Sequence, residues 1–266
     1  MQITAKTWNE YITRLSRLNQ KAGQLMRQYI DTHGTGDTDA LITYAAALVT
    51  KYGEGSAELA CQMYDALAEA ANAGVPAAEP AEPADYSEVA RMVNATKNQN
   101  PANLPNGVSR LVKRAGADTT LKNAVRDGAE WAWVPHGDTC PFCITLASNG
   151  WQKASSKVLK GGHAEHIHAN CDCEFAIRFD HNTTVAGYDP EKYLKQYRDA
   201  GGDINKMRRV NYADNKERIN AQKRAAYAAR RLREQANRGI LDDIMGGYLL
   251  VTCLLYTSPS PRDPKT

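Results

Sequence analysis

The sequence holds little of what a secreted or membrane protein is made from. Six cysteines in 266 residues are too few for a disulfide framework. No stretch approaches the roughly 20 consecutive apolar residues of a membrane span. The opening Met1-Gln2-Ile3-Thr4 lacks the basic-then-apolar layout of a signal peptide. Aromatic residues are scarce at 8%, with only three phenylalanines, so any core must be largely aliphatic. Net charge is small at +3. These absences leave a chain made in the cytoplasm, with no membrane partner. At 42% hydrophobic and 24% charged, it is long enough for one large or two small domains.

The cysteines and the cations that are present are not spread evenly. Four of the six cysteines, Cys140, Cys143, Cys171 and Cys173, crowd into one short region. In a reducing compartment such clustering favours metal over disulfides. Residues 205–238 carry 11 Lys/Arg against 3 Asp/Glu, whereas the rest of the chain is slightly acidic.

Hydrophobic spacing predicts a mainly α fold. Residues 5–30 read as an amphipathic helix through Trp8, Ile12, Leu15, Leu18, Leu25, Met26 and Tyr29, broken by residues 31–37. Thr38-Asp39 can cap a second helix through Tyr52, and Gly53-Glu-Gly55 separates it from a third at 57–73, where Cys61 reads as a core residue. Three prolines within 74–85 forbid a continuous helix and favour an extended arm. Helices are predicted at 86–98, 105–115 and from Asp118 to Trp131, with residues 135–138 ending the helical half. Cysteine, glycine and histidine then dominate residues 139–180, and 171–179 alternates with the period of a strand. Helix resumes at Pro190–Ala200 and from Asp203 to about Asn237. The expected organisation is a helical N-terminal region (1–73), a Pro/Ala linker or arm with a short helix (74–104), helices leading into a metal module (105–130), a small zinc-stapled α+β module (131–180) and a helical basic C-terminal region (181–252). Residues 253–266 resemble one reading frame of a sequencing-library adapter, so the natural chain is expected to end near Thr252 and Cys253 is discounted.

The metal expectation rests on spacing. Cys140-Pro-Phe-Cys143 is a C-x2-C knuckle whose thiolates can reach one ion from a tight turn. His168-Ala-Asn-Cys171-Asp-Cys173 adds an H-x2-C pair and, two residues on, a second thiol on the same strand face. Five candidates thus compete for four tetrahedral seats. The four cysteines are favoured, with His168 displacing Cys173 or supporting from outside, where Asp138 can also orient a ligand. Closed cysteine ligation implies a structural Zn2+, since a catalytic zinc keeps a position for water.

Two enzymatic readings compete. His163-Ala-Glu165 with Cys140-Pro-Phe-Cys143 evokes the zinc deaminases, but the cysteines precede the histidine, and Pro141 sits inside the pair rather than before it. Alternatively His163, His166 and His168 form the metal site of a nuclease or other DNA-processing protein, although no carboxylates stand at a persuasive spacing.

Asp138-Thr-Cys140-Pro-Phe-Cys143, Gly150-Trp151 and His168-Ala-Asn-Cys171-Asp-Cys173 resemble the D-x-C-x2-C … G … H-x2-C-x-C signature of the MuF-like phage head-morphogenesis family. The string from Trp133 to Asp138, together with Gly162 to Cys171, is closer still to the related minor capsid proteins of phages infecting Gram-positive hosts. The specific match covers 131–180. The resemblance implies that Cys140, Cys143, His168, Cys171 and Cys173 are metal-motif positions. It further implies a non-enzymatic, low-copy protein of the phage head, made in the host cytoplasm, with the portal or major capsid protein as partner. The basic stretch 205–238 fits either a solvated helix or contact with packaged double-stranded DNA, where each phosphate neutralised releases a counterion.

Overall fold

The computed structural model describes residues 2–137, 139–157, 173–218, 220, 221, 223–225, 227, 228, 231, 232 and 235. It divides into two compact units, residues 1–208 and 209–266. Among the described residues, the first unit holds every strand and the buried core.

Three long helices dominate that unit. The first, α1 (Ala5–His33), starts where the Thr4 side chain accepts the Thr7 N–H at 3.1 Å. It buries Trp8, Tyr11, Ile12, Leu15, Asn19, Ala22 and Met26, one stripe at three- and four-residue steps. The second, α2 (Thr38–Ala70), is capped by Asp37, which accepts from Ala40 N–H at 3.0 Å, rather than by Thr38-Asp39. It runs unbroken through Gly53 and Gly55, where the sequence predicted two helices. A mid-helix glycine costs about 1 kcal/mol, but packing offsets it here. A Cβ at Gly53 would lie 2.9 Å from the Pro83 Cβ, so the glycine is what lets the proline-rich arm lie against the helix.

That arm, residues 74–85, has no regular structure but is firmly docked. Side chains satisfy its backbone: Asp65 accepts from Ala78 N–H at 2.7 Å, Asn123 from Glu79 N–H at 3.0 Å and Thr119 from Ala81 N–H at 2.9 Å. Arg126 donates to the Pro76 and Ala77 carbonyls at 2.9 and 3.1 Å.

Next come α3 (Tyr86–Gln99), a short 3-10 turn (Pro101–Asn103) and α4 (Leu104–Asp127). The sequence split α4 at residues 115–118; the structure makes it one helix and the centre of the unit, packed against α1, α2 and α3. It ends at Gly128, whose φ of 67° reverses the chain, a conformation that favours glycine. Residues beyond it were read as the end of a helix. They instead form β2 (Glu130–Val134), because Trp131 and Trp133 share one face, and Ala132 and Val134 the other, at strand period.

In chain order the remaining elements are α5 (Pro141–Ala147), β3 (Gln152–Lys153), β4 (Glu174–Arg178), β5 (Thr184–Val185) and α6 (Pro190–Asp199). An antiparallel sheet has the order β3-β2-β4, with Trp133 opposite Phe175 and Glu130 opposite Arg178. Trp131 and Trp133 meet Phe175 edge-on at 5.3 and 4.7 Å between ring centres. Separately, β1 (Gln2–Ile3) pairs in parallel with β5. Helix resumes at residue 204, and the described residues of the second unit are helical, with most of them exposed.

Candidate metal centre

The knuckle is built by a strand-to-helix turn. After β2 the chain turns through Gly137, at φ 66°, and Thr139 donates to the Gly137 carbonyl at 3.2 Å. Cys140 occupies the cap position of α5 in an extended conformation, φ −77° and ψ 158°, and its carbonyl accepts from Ile144 N–H at 3.0 Å. Pro141 then opens the helix, where its fixed φ suits the first turn and its missing N–H leaves no donor unmet. This places Cys143 in the first helical turn, at 1% exposure, while Cys140 stays half-buried against the same apolar cluster.

Cys173 belongs to that cluster as well. It lies immediately before β4 at 0% exposure, and its carbonyl accepts a 2.8 Å hydrogen bond from the Lys113 ammonium. Lys113 is itself only 3% exposed. The next residue, Glu174, is 2% exposed and accepts from Phe175 N–H at 3.2 Å. Glu174 faces Tyr11, whose phenol is pushed well up, first by burial and then by the carboxylate's charge. Cys173 is close enough to Tyr193 of α6 to add to the upward shift that burial gives that phenol. Because α5 packs on α6, the knuckle and Cys173 approach α6 in common.

Of the five ligand candidates, Cys143 and Cys173 are buried in one apolar cluster and Cys140 is packed against it. His168 and Cys171 lie outside the described residues, as do His163, Glu165, His166 and Asp138. Among the described residues no group of three His, Cys, Asp or Glu side chains is placed to hold an ion. Cys61 lies apart on α2, buried as expected, with its thiol pushed up to about 11 by burial.

The sequence reading missed His136, between β2 and the knuckle. Its Nε2 lies 3.1 Å from the Asn9 side-chain oxygen of α1. An amide oxygen only accepts, so Nε2 is the donor in this pair. Nδ1 is buried and has no hydrogen-bond partner among the described residues. Metal-bound histidines are commonly held this way, the second nitrogen donating to a carbonyl. The signal was visible in the Trp133-Val-Pro-His136 string but carried no ligand spacing of its own.

Compared with known proteins, the chain matches the family model described as VG15 protein over residues 2–200. The chain belongs to the VG15 protein family. This is a phage protein family, and the chain is phage-encoded. No curated protein and no solved structure matches it. The VG15 match runs from β1 to the end of α6, so the family region contains both the sheet and the knuckle, while the basic stretch after residue 204 follows it.

Proposed function

We propose that this VG15 protein is a structural minor component of a tailed-phage head, without enzymatic activity, whose β2–β4 region is stapled by a structural zinc. The observation that carries the reading is the phage family match over residues 2–200. The resemblance of the knuckle region to minor capsid proteins gives it its finer form. The donor chemistry suits zinc. Cys143 and Cys173 are withdrawn from water, Cys140 flanks them, and thiolates are the preferred ligands of closed structural zinc sites. Cys140, Cys143, Cys171 and Cys173 would hold the ion, with His168 as the competing ligand. Bound there, zinc would cross-link the helical knuckle to the start of β4. The protein's own contribution is to bury the thiols, set the turn through Gly137 and anchor the Cys173 carbonyl with Lys113. In the assembled particle the portal or major capsid protein is the expected partner, and residues 205–238 supply cations for packaged DNA.

The test has two readouts. Mass spectrometry of purified particles should detect the chain at low copy, and elemental analysis of the purified chain should find about one zinc, lost in the Cys140→Ser/Cys171→Ser variant. Absence from particles sinks the head assignment. Fully folded wild-type protein without metal sinks the staple.

A further inference from the structure

A groove on the outside of the first unit has a chemistry that neither the head assignment nor the metal explains. It runs between the N-terminal half of α1 and the C-terminal half of α2, which form a hairpin joined at residues 34–37. Beneath them α4 packs against both helices, which leaves the outer seam open. The cavity measures about 510 Å³, within the range of about 300–1,000 Å³ usual for binding pockets. Its floor is Tyr11, Leu59, Met63 and Ala66, and one wall carries Arg14 and Arg17.

Both arginines are exposed and neither makes an ion pair among the described residues, nor does Lys21 one turn on. At 100° per residue these three cations fall within about 60° of one another on α1. Arg14 and Arg17 are spaced i,i+3, and Arg17 and Lys21 i,i+4. Like charges at these spacings weaken a helix. Glu10 is the one carboxylate on this wall. An apolar trough beside an uncompensated cationic ridge is complementary to a helix with an apolar face and flanking carboxylates. A nucleic-acid backbone would satisfy the ridge but brings nothing to cover the floor.

We infer that the α1–α2 groove is a docking site for an acidic amphipathic helix of a partner protein, whose apolar side chains settle on Leu59 and Met63 and whose carboxylates meet Arg14, Arg17 and Lys21. None of the residues lining the groove is a candidate zinc ligand or belongs to residues 205–238.

The probe is a fluorescein-labelled helix of about five turns, leucine along one face and glutamate with alanine on the other, titrated with the full chain by anisotropy. Wild-type protein should bind it, and the same peptide with lysine for glutamate should not bind. Arg14→Glu with Arg17→Glu should weaken binding at least about tenfold, as should Met63→Glu. Raising salt from about 0.1 to about 0.5 M should weaken binding without abolishing it, because the apolar contact is not screened. Circular dichroism checks folding. If Met63→Glu unfolds, the two exposed arginines decide alone. No wild-type binding at millimolar protein, or equal binding by the arginine variant, overturns the site. Displacement of the peptide by duplex DNA, with the same dependence on Arg14 and Arg17, reassigns the ridge to phosphate and overturns it too.

Discussion

The first unit has two cores of different make. At one end, the second half of α1, the first half of α2, α3 and the start of α4 bury Met26, Leu41, Ile42, Leu48, Val49, Val89, Val93, Leu104, Val108, Leu111 and Val112, with no aromatic fully inside. At the other end, the remaining halves of the same helices meet the sheet and α5. There Trp8, Tyr11, Tyr64, Trp131, Trp133 and Phe175 are buried alongside Cys143 and Cys173. The same three helices serve both, so the difference comes from what they pack against. Helix on helix is filled by aliphatic side chains at regular spacing. A sheet whose strands run two to five residues presents little area per strand, so it needs large rings, each burying about 150–250 Å². The scarce aromatics are spent where regular packing runs out.

The comparison can be broken most sharply at Trp133, fully buried against Phe175. Trp133→Ala should cost about 3–5 kcal/mol in urea unfolding. Met26→Ala, in the aliphatic end, should fall lower in the about 2–5 kcal/mol range for such truncations. Hydrogen exchange should localise the first loss to β2–β4 and the second to the far ends of α1 and α2. Equal loss of protection at both ends in either variant would show that the two cores are one cooperative unit.

Acid should distinguish the ends more weakly. Each end holds a carboxylate below its usual range: Glu88 through the Arg114 guanidinium, with one hydrogen bond at 2.7 Å, and Asp127 through Arg126, then Tyr64, whose hydroxyl donates at 2.7 Å. A lowered folded pKa gives stability that is present above the unfolded values, about 4.3 and 3.9. It is lost as pH falls through the folded ones. Stability should therefore drop below about pH 4. Asp127, with its side chain 3% exposed against 29% for Glu88, should contribute the larger part of the slope. Asp127→Asn should flatten the urea-midpoint-versus-pH curve more than Glu88→Gln.

The smallest effect is at the start of α2. Asp37→Ala removes the side chain that caps Ala40 N–H and should cost about 1 kcal/mol in thermal or urea unfolding. The loss of exchange protection should stay within the first turn and reach neither core.

Local patterns carried much of this architecture. The apolar stripe of α1, the helix opening at Pro190 and a strand within 171–179 are short-range signals, and each has its counterpart in the structure. Gly53 and Gly55 misled because what each packs against lies far along the chain, Pro83 for Gly53 and Leu18 for Gly55. Trp131 was assigned to a helix because its cross-strand partner, Ile177, lies forty-six residues later. In the candidate site the cysteine pairs announced themselves by spacing. Lys113 and His136 did not, since each acts through a hydrogen bond to a residue far along the chain. The α1–α2 groove was equally hidden. Arg14, Arg17 and Lys21 look like an ordinary solvated face until Met63 and Leu59 are placed beside them.

The pairing of β1 with β5 has a consequence in time. Gln2 meets Thr184 and Ile3 meets Val185, so a segment waits for a partner synthesised about 180 residues after it. At about 5–20 residues per second, that interval is roughly ten to forty seconds. The helices of the aliphatic end can form meanwhile, because the buried residues of their core extend no further than Val112. Ile3, by contrast, is buried beside the late-arriving Val185. β1 is thus among the last parts of the unit to settle, and a nascent chain that stalls before residue 185 displays an unpaired strand edge at Gln2–Ile3.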